Sequence, residues 1–88
     1  RIIPKNLCAE IELNKIKILK IFKWLKYSGI DEYEMLKTFN CGVGFCLIVN
    51  PRYYNKVKIC FSKEFKPYVI GKISTNSKRV KFSGKIDW

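Results

Sequence analysis

The stretch TFNCGVGF, Thr38 to Phe45, sets glycines at 42 and 44 directly before an apolar run, Phe45-Cys46-Leu47-Ile48-Val49. Glycine adopts backbone angles that other residues avoid and lets main-chain N–H groups come close to a ligand. Successive N–H groups in such a loop can form a nest for a phosphate or a carboxylate. The same spacing also suits a tight helix-to-strand turn that binds nothing, and G-x-G by itself does not separate the two.

Other chemistries are harder to build from this chain. It has no histidine, so neither a Cys–His nor a Ser–His catalytic pair can come from it. Its four cysteines, Cys8, Cys41, Cys46 and Cys60, contain no C-x-x-C pair, and the spacing expected of a zinc site is absent. No metal ligands are predicted. Cys46 and Cys60 sit in apolar contexts, which predicts buried free thiols and a reducing, cytoplasmic location.

The net charge is +11, from 18 basic and seven acidic residues. Fifteen of the basic residues are lysine and only Arg1, Arg52 and Arg79 are arginine, the residue whose planar fork reads phosphates and base edges. The charge is uneven. Five of the seven acids precede Met35, leaving residues 1–34 at net +2 and residues 35–88 at net +9. The half that carries the glycine loop is therefore the half that attracts anions. No apolar run approaches the roughly 20 residues that span a bilayer, so no membrane partner is expected.

The elements that must position the loop follow from periodicity. In LCAEIEL, residues 7–13, Ala9, Ile11 and Leu13 alternate with Glu10 and Glu12, the pattern of a half-exposed strand. From Lys15 to Tyr27 the period changes: Ile18, Ile21, Phe22 and Leu25 recur at helical spacing opposite Lys17, Lys20 and Lys23, with Ser28-Gly29 as the stop. Asp31 with Glu34 three residues on makes an N-cap for a second helix running through Met35 and Leu36 to the loop. The run after Gly44 reads as a buried strand. Asn50-Pro51 then looks like a new helix start. Residues 53–62 fit either a helix or a strand, and helix is chosen. YVIGKIS and RVKFSG, on either side of the turn TNSK, are predicted to pair as a hairpin. The sum is a single α/β (α+β) domain over residues 1–88, a small mixed sheet of about four strands with helices packed on one side.

Longer motifs narrow the reading. EMLKTFNCGVGFCLIV, Glu34 to Val49, closely resembles the E-M-x-R-T-F-N-x-G-[IV]-G-M segment of the phosphoribosylformylglycinamidine cyclo-ligase (aminoimidazole ribonucleotide synthetase) family. RIIP, Arg1 to Pro4, is similar to the end of that family's N-x-P-R-[VI]-[LI]-P segment. IFKWLKYSG, Ile21 to Gly29, is similar to its F-x-W-L-x-x-x-G helix, and YVIGKI, Tyr68 to Ile73, to its W-x-I-G-x-[IV] strand. The four segments keep family order and similar spacing. Two departures stand out: Phe45 replaces the usual methionine and Lys37 an arginine, lysine being the poorer bidentate donor.

The resemblance implies a C-terminal domain fragment of a much longer enzyme, whose N-terminal ATP-binding and dimerisation domain is absent here. It implies a homodimeric ligase of purine biosynthesis that uses ATP and Mg²⁺ to convert formylglycinamidine ribonucleotide to aminoimidazole ribonucleotide. The formyl oxygen is phosphorylated, a nitrogen of the same molecule attacks, and phosphate leaves. Such chemistry asks the protein chiefly to position groups and neutralise charge. The resemblance places Thr38, Asn40, Gly42 and Gly44 on the wall of an interdomain cleft as substrate-binding residues. Asn40 either donates to substrate or braces the loop, and Thr38 caps or bonds a phosphate oxygen. No catalytic residue is assigned. The fragment alone is expected to bind no cofactor and to be inactive. The alternative is a free-standing basic nucleic-acid-binding module. That predicts aromatic residues exposed among lysines on a sheet face, whereas Trp24, Phe39 and Phe45 fall at core-like positions.

Overall fold

A computed structural model describes residues 2–88. Strand β1, Leu7–Glu12, is followed by a 3-10 turn at Leu13–Lys15, helix α1 at Lys20–Tyr27 and helix α2 at Glu32–Thr38. A second 3-10 turn, Pro51–Tyr53, leads into the short helix α3, Tyr54–Lys58. Strands β2, Gly71–Thr75, and β3, Val80–Ser83, close the chain. The fold is mixed α and β, with three strands in one sheet rather than about four.

Local signals place most of these elements. The Asp31 carboxylate accepts from the Glu34 N–H at 3.0 Å, satisfying one of the donors that a helix start leaves without an internal partner. Asn50 caps the Pro51 turn, its side chain accepting from the Arg52 N–H at 3.0 Å. Helix α1 ends at Tyr27, before Ser28-Gly29, as its sequence requires. It begins five residues later than predicted, because Ile16 to Leu19 run outside any helix and Leu19 has φ −84° and ψ 152°. That segment is committed elsewhere: the Lys17 N–H donates to the Tyr68 hydroxyl at 3.1 Å, and the Lys17 ammonium lies 4.6 Å from the Tyr68 ring centre. Residues 53–62 contain a helix, α3, and no strand.

The sheet order is β2-β1-β3, with β1 antiparallel to β2 and parallel to β3. The predicted hairpin is therefore wrong: β2 and β3 take opposite edges of β1 rather than pairing with each other. The connection between them passes the start of β1 and is tied to it. The Asn76 N–H donates to the Asn6 carbonyl at 3.2 Å, and the Ala9 N–H to the Arg79 carbonyl at 2.9 Å. Register puts Glu10 between Lys72 and Lys81, and Ala9 between Ile73 and Val80. Opposite charges and apolar pairs thus sit as cross-strand neighbours, the arrangement that stabilises a sheet.

Gly71 shows why β2 can lie so close to β1. A Cβ built there would run into the Glu10 carbonyl oxygen and lie 3.1 Å from the Ile11 Cα. Only a residue without a side chain leaves room for the adjacent bond, in which the Glu12 N–H donates to the Ile70 carbonyl at 2.7 Å.

The buried core is small: Cys8, Leu13, Met35, Cys41 and Ile86. Several expectations fail here. Trp24 is 64% exposed and Phe45 85% exposed, so neither is a core residue. Phe39 is partly buried, its ring centre 6.1 Å from that of Phe22. Cys46 and Cys60 are exposed free thiols, whereas Cys8 and Cys41 are the buried ones. The apolar run Phe45–Val49 forms no strand. Its composition suits a strand, but a strand exists only through a partner, and among the described residues Gly44 to Val49 make no main-chain hydrogen bond.

Candidate functional site

The loop after α2 is built by a turn over Asn40 to Val43. The Val43 N–H donates to the Asn40 carbonyl at 2.9 Å, and the Gly42 N–H to the Asn40 side-chain oxygen, also at 2.9 Å. Both central residues have positive φ, 54° at Cys41 and 105° at Gly42, the feature of a type I′ turn. Asparagine commonly bonds its own backbone two residues on, so here the Asn40 side chain braces the loop.

The two glycines differ. At Gly42 an added Cβ would sit 2.9 Å from the Lys17 carbonyl oxygen and 3.3 Å from Leu19 Cγ. The positive φ and the close approach of residues 17–19 both require glycine there. Tyr68 holds the other side of residue 17, so the glycine loop, the 16–19 segment and the start of the YVIGKI motif are joined through one backbone stretch. At Gly44, by contrast, nothing lies within 4 Å of an added Cβ, and its φ is outside the left-handed region. The fold of this chain gives no reason for glycine at 44.

Gly42 and Gly44 line an open cleft of about 790 Å³, together with Phe45, Ser62, Phe65 and Lys66. Thr38 and Asn40 are exposed but do not line it. The structure thus places two of the four predicted residues in the cleft, one beside it as a brace, and Thr38 at the end of α2. The Gly42 N–H is used inside the turn, so it is not free for a ligand. The N–H groups of Gly44, Phe45 and Cys46 have no partner among the described residues. Among those residues, Lys66 is the one cation lining the cleft. Ser62 and Lys66 were not found by motif reading, because no local pattern brings residues 60–70 to the loop. The bond between Lys17 and Tyr68 spans 51 residues of sequence.

Cys41 points inward, only 2% exposed, its thiol 3.7 Å from the Met35 carbonyl. Burial pushes its pKa above the ordinary thiol value of 9.0, since the thiolate would lose its hydration. The residue behaves as a small core side chain. Among the described residues, no three Cys, Asp or Glu side chains come together as a metal site needs. No helix of the described residues is long and apolar enough to cross a membrane.

Comparison with known proteins bears on the whole chain. The family "AIR synthase related protein, C-terminal domain" matches residues 1–83. A phosphoribosylformylglycinamidine cyclo-ligase from Prochlorococcus marinus (strain NATL1A) is 37% identical over 86 residues, covering 96% of this chain and 25% of that protein. The chain thus spans about a quarter of the length of this curated relative. No solved structure matches it. The glycine loop, its brace and Tyr68 all lie inside the matched region, and the chain belongs to the AIR synthase related protein family, within its C-terminal domain.

Proposed function

We propose that the chain works as part of an ATP-dependent phosphoribosylformylglycinamidine cyclo-ligase of purine biosynthesis, in which its glycine loop forms one wall of the active-site cleft. One observation carries the reading: Gly44 opens onto the cleft with no structural demand for glycine, beside unpaired N–H groups and Lys66. Homology to a cyclo-ligase supports this reading of the activity.

The residues suit an anion-positioning role. The N–H groups of Gly44, Phe45 and Cys46 can donate to an oxyanion, and glycine at 44 lets that oxygen approach the main chain. Lys66 adds positive charge and Ser62 a hydroxyl to the lining of the same cleft. Thr38, at the end of α2 and outside the cleft lining, is proposed to bond a phosphate oxygen only of a ligand that reaches beyond the cleft, and Asn40 keeps the loop in shape. In the reaction of the homologous enzyme as the family resemblance implies it, ATP supplies the phosphoryl group that turns the formyl oxygen into a leaving group. Ring closure then proceeds within one molecule, which gains from orientation more than from a histidine base. The described residues offer no cluster fitted to Mg²⁺, and no step is assigned to a metal here. On this reading the 88 residues alone are inactive, and the complete enzyme is a cytoplasmic homodimer.

The test is a chimera: the Prochlorococcus marinus enzyme with its homologous segment replaced by these 88 residues. Gly44→Val should lower ATP-dependent turnover at least tenfold while leaving the melting temperature within a degree or two. Near-normal turnover in a folded Gly44→Val chimera would remove the loop from the active site.

The nucleic-acid alternative gains one observation, the exposure of Trp24 and Tyr27 on α1 beside Lys20, Lys23 and Lys26. They lie on a helix, however, not on the sheet face that stacking readers use. Affinity for single-stranded RNA that falls steeply between 50 and 200 mM salt (roughly the range over which phosphate contacts are lost) would favour it.

A further inference from the structure

The four cysteines divide into two pairs. Cys8 and Cys41 are buried, whereas Cys46 and Cys60 are exposed free thiols. Both exposed thiols line the cleft onto which the glycine loop opens, and neither buried one does. Cys46 lies two residues past Gly44, and Cys60 two residues past the end of α3. Their hydrogen bonding differs. The Cys60 thiol donates to the Lys56 carbonyl at 3.3 Å, whereas the Cys46 thiol has no partner among the described residues. The surroundings of Cys60 in the chain are basic: Lys56, Lys58, Lys63 and Lys66 stand against one acid, Glu64. Charge of that sign raises the local concentration of anionic reagents.

We propose that Cys46 and Cys60 form a thiol-pair modification site, oxidised by an anionic small-molecule disulfide to a reversible Cys46–Cys60 bond that closes the cleft. The pairing stands on the geometry of the cleft alone; its effect on activity rests on the proposed function. The thiolate is the attacking form in such exchange. Cys46, whose thiol is unengaged, attacks one sulfur of the reagent first: a mixed disulfide forms on Cys46 and one small-molecule thiolate leaves. Cys60, its proton released to water, then attacks the Cys46 sulfur. The Cys46–Cys60 bond forms and the second small-molecule thiolate leaves. The two departing thiolates take up the two protons, so two protein thiols are oxidised and one reagent disulfide is reduced. A disulfide needs its Cα atoms within roughly 7 Å. The segment from Gly44 to Val49 is free to make that approach, because among the described residues its main chain has no hydrogen bond to break. The bond ties the Cys46 N–H, one of the unpaired donors, against the Cys60 side of the lining that also holds Ser62 and Lys66. In a reducing compartment a bond of this kind is transient and regulatory rather than structural.

The probe is oxidised glutathione, applied to the 88-residue protein and to the Prochlorococcus marinus chimera that carries it. The protein should lose the mass of two hydrogens, and digestion should give one linked pair of peptides holding Cys46 and Cys60, reversed by dithiothreitol. Cys8 and Cys41 should stay closed to maleimide throughout, which shows that the fold survives. Cys60→Ser should stop at one glutathione on Cys46, and Cys46→Ser should acquire glutathione on Cys60 at least tenfold more slowly. In urea the selectivity should vanish, because the cost of closing a loop depends only weakly on its length. Independent glutathione adducts on both thiols, a disulfide between two chains, a bond to Cys8 or Cys41, or selectivity kept in urea would overturn the proposal. In the chimera, ATP-dependent turnover should fall at least tenfold in step with the linked peptide and return with dithiothreitol. A fully linked chimera that keeps its turnover, although Gly44→Val abolishes it, overturns the closure of the cleft. The two readings fail separately. Linked peptide with full turnover in both the oxidised and the Gly44→Val chimera sinks the active-site role and leaves the thiol pair. Turnover lost in Gly44→Val with no linked peptide sinks the thiol pair alone.

Discussion

Replacing each loop glycine with alanine separates the part of the loop that holds the fold from the part that does not. At Gly42 two costs act together. Alanine at φ +105° leaves the favoured regions of the backbone map, at about 1–2 kcal/mol. Its Cβ would also lie 2.9 Å from the Lys17 carbonyl oxygen, a main-chain atom that cannot swing aside. Overpacking of this kind costs roughly 1–3 kcal/mol, so Gly42→Ala should lose about 2–5 kcal/mol. A domain of this size is stable by about 0.05–0.15 kcal/mol per residue, and the small core puts this one near the low end. At Gly44 the Cβ meets nothing within 4 Å and φ is ordinary, so alanine should be neutral or stabilise by about 0.4–1 kcal/mol through the unfolded chain. Urea denaturation followed by tryptophan fluorescence reads both. With a slope of about 1–3 kcal/mol per molar, Gly42→Ala should bring the midpoint down by at least about 0.7 M or leave no folded baseline. Gly44→Ala should match or exceed the parent. Equal midpoints for the two variants would refute the contact of Gly42 with residues 17–19 and, with it, the assignment of Gly44 as the glycine not required by the fold.

Gly71→Ala should be at least as damaging, because its Cβ meets the Glu10 carbonyl; loss of exchange protection at the Glu12 amide is the local readout. Asp31→Ala removes the cap of α2 and should cost about 0.5–2 kcal/mol, whereas Asp31→Asn or Asp31→Ser should restore most of it. Under native conditions a maleimide should label Cys46 and Cys60 quickly and Cys8 and Cys41 only on unfolding, with peptide mass spectrometry assigning the order. Because burial raises the Cys41 pKa in the folded state, the folded protein binds that proton more tightly than the unfolded chain. Its contribution to stability is therefore complete below pH 9.0 and is lost as pH rises above that value through the folded pKa. Cys41→Ala should flatten that alkaline decline, and an unchanged decline would point to other groups.

What the sequence by itself determined were features decided within a few residues. Alternation over residues 7–13 marked β1, Asp31 and Asn50 marked their caps, Ser28-Gly29 ended α1, and the T-F-N-C-G-V-G run with its flanks identified the family. Caps and periodicity act between residues no more than a turn apart, so the string alone carries them. Tertiary structure decided which strands pair, and it did so against the local signal. YVIGKIS and RVKFSG looked like a hairpin, yet each found its partner in β1, with Leu7 opposite Thr75 and Ala9 opposite Val80. Phe45–Val49 has every local mark of a buried strand and stands exposed, because burial and pairing depend on a neighbour and not on the segment itself. The two glycines of the loop look alike in sequence. Only the approach of Lys17 and Leu19, fixed from the far side by Tyr68, makes one of them indispensable to the fold and leaves the other open to the cleft.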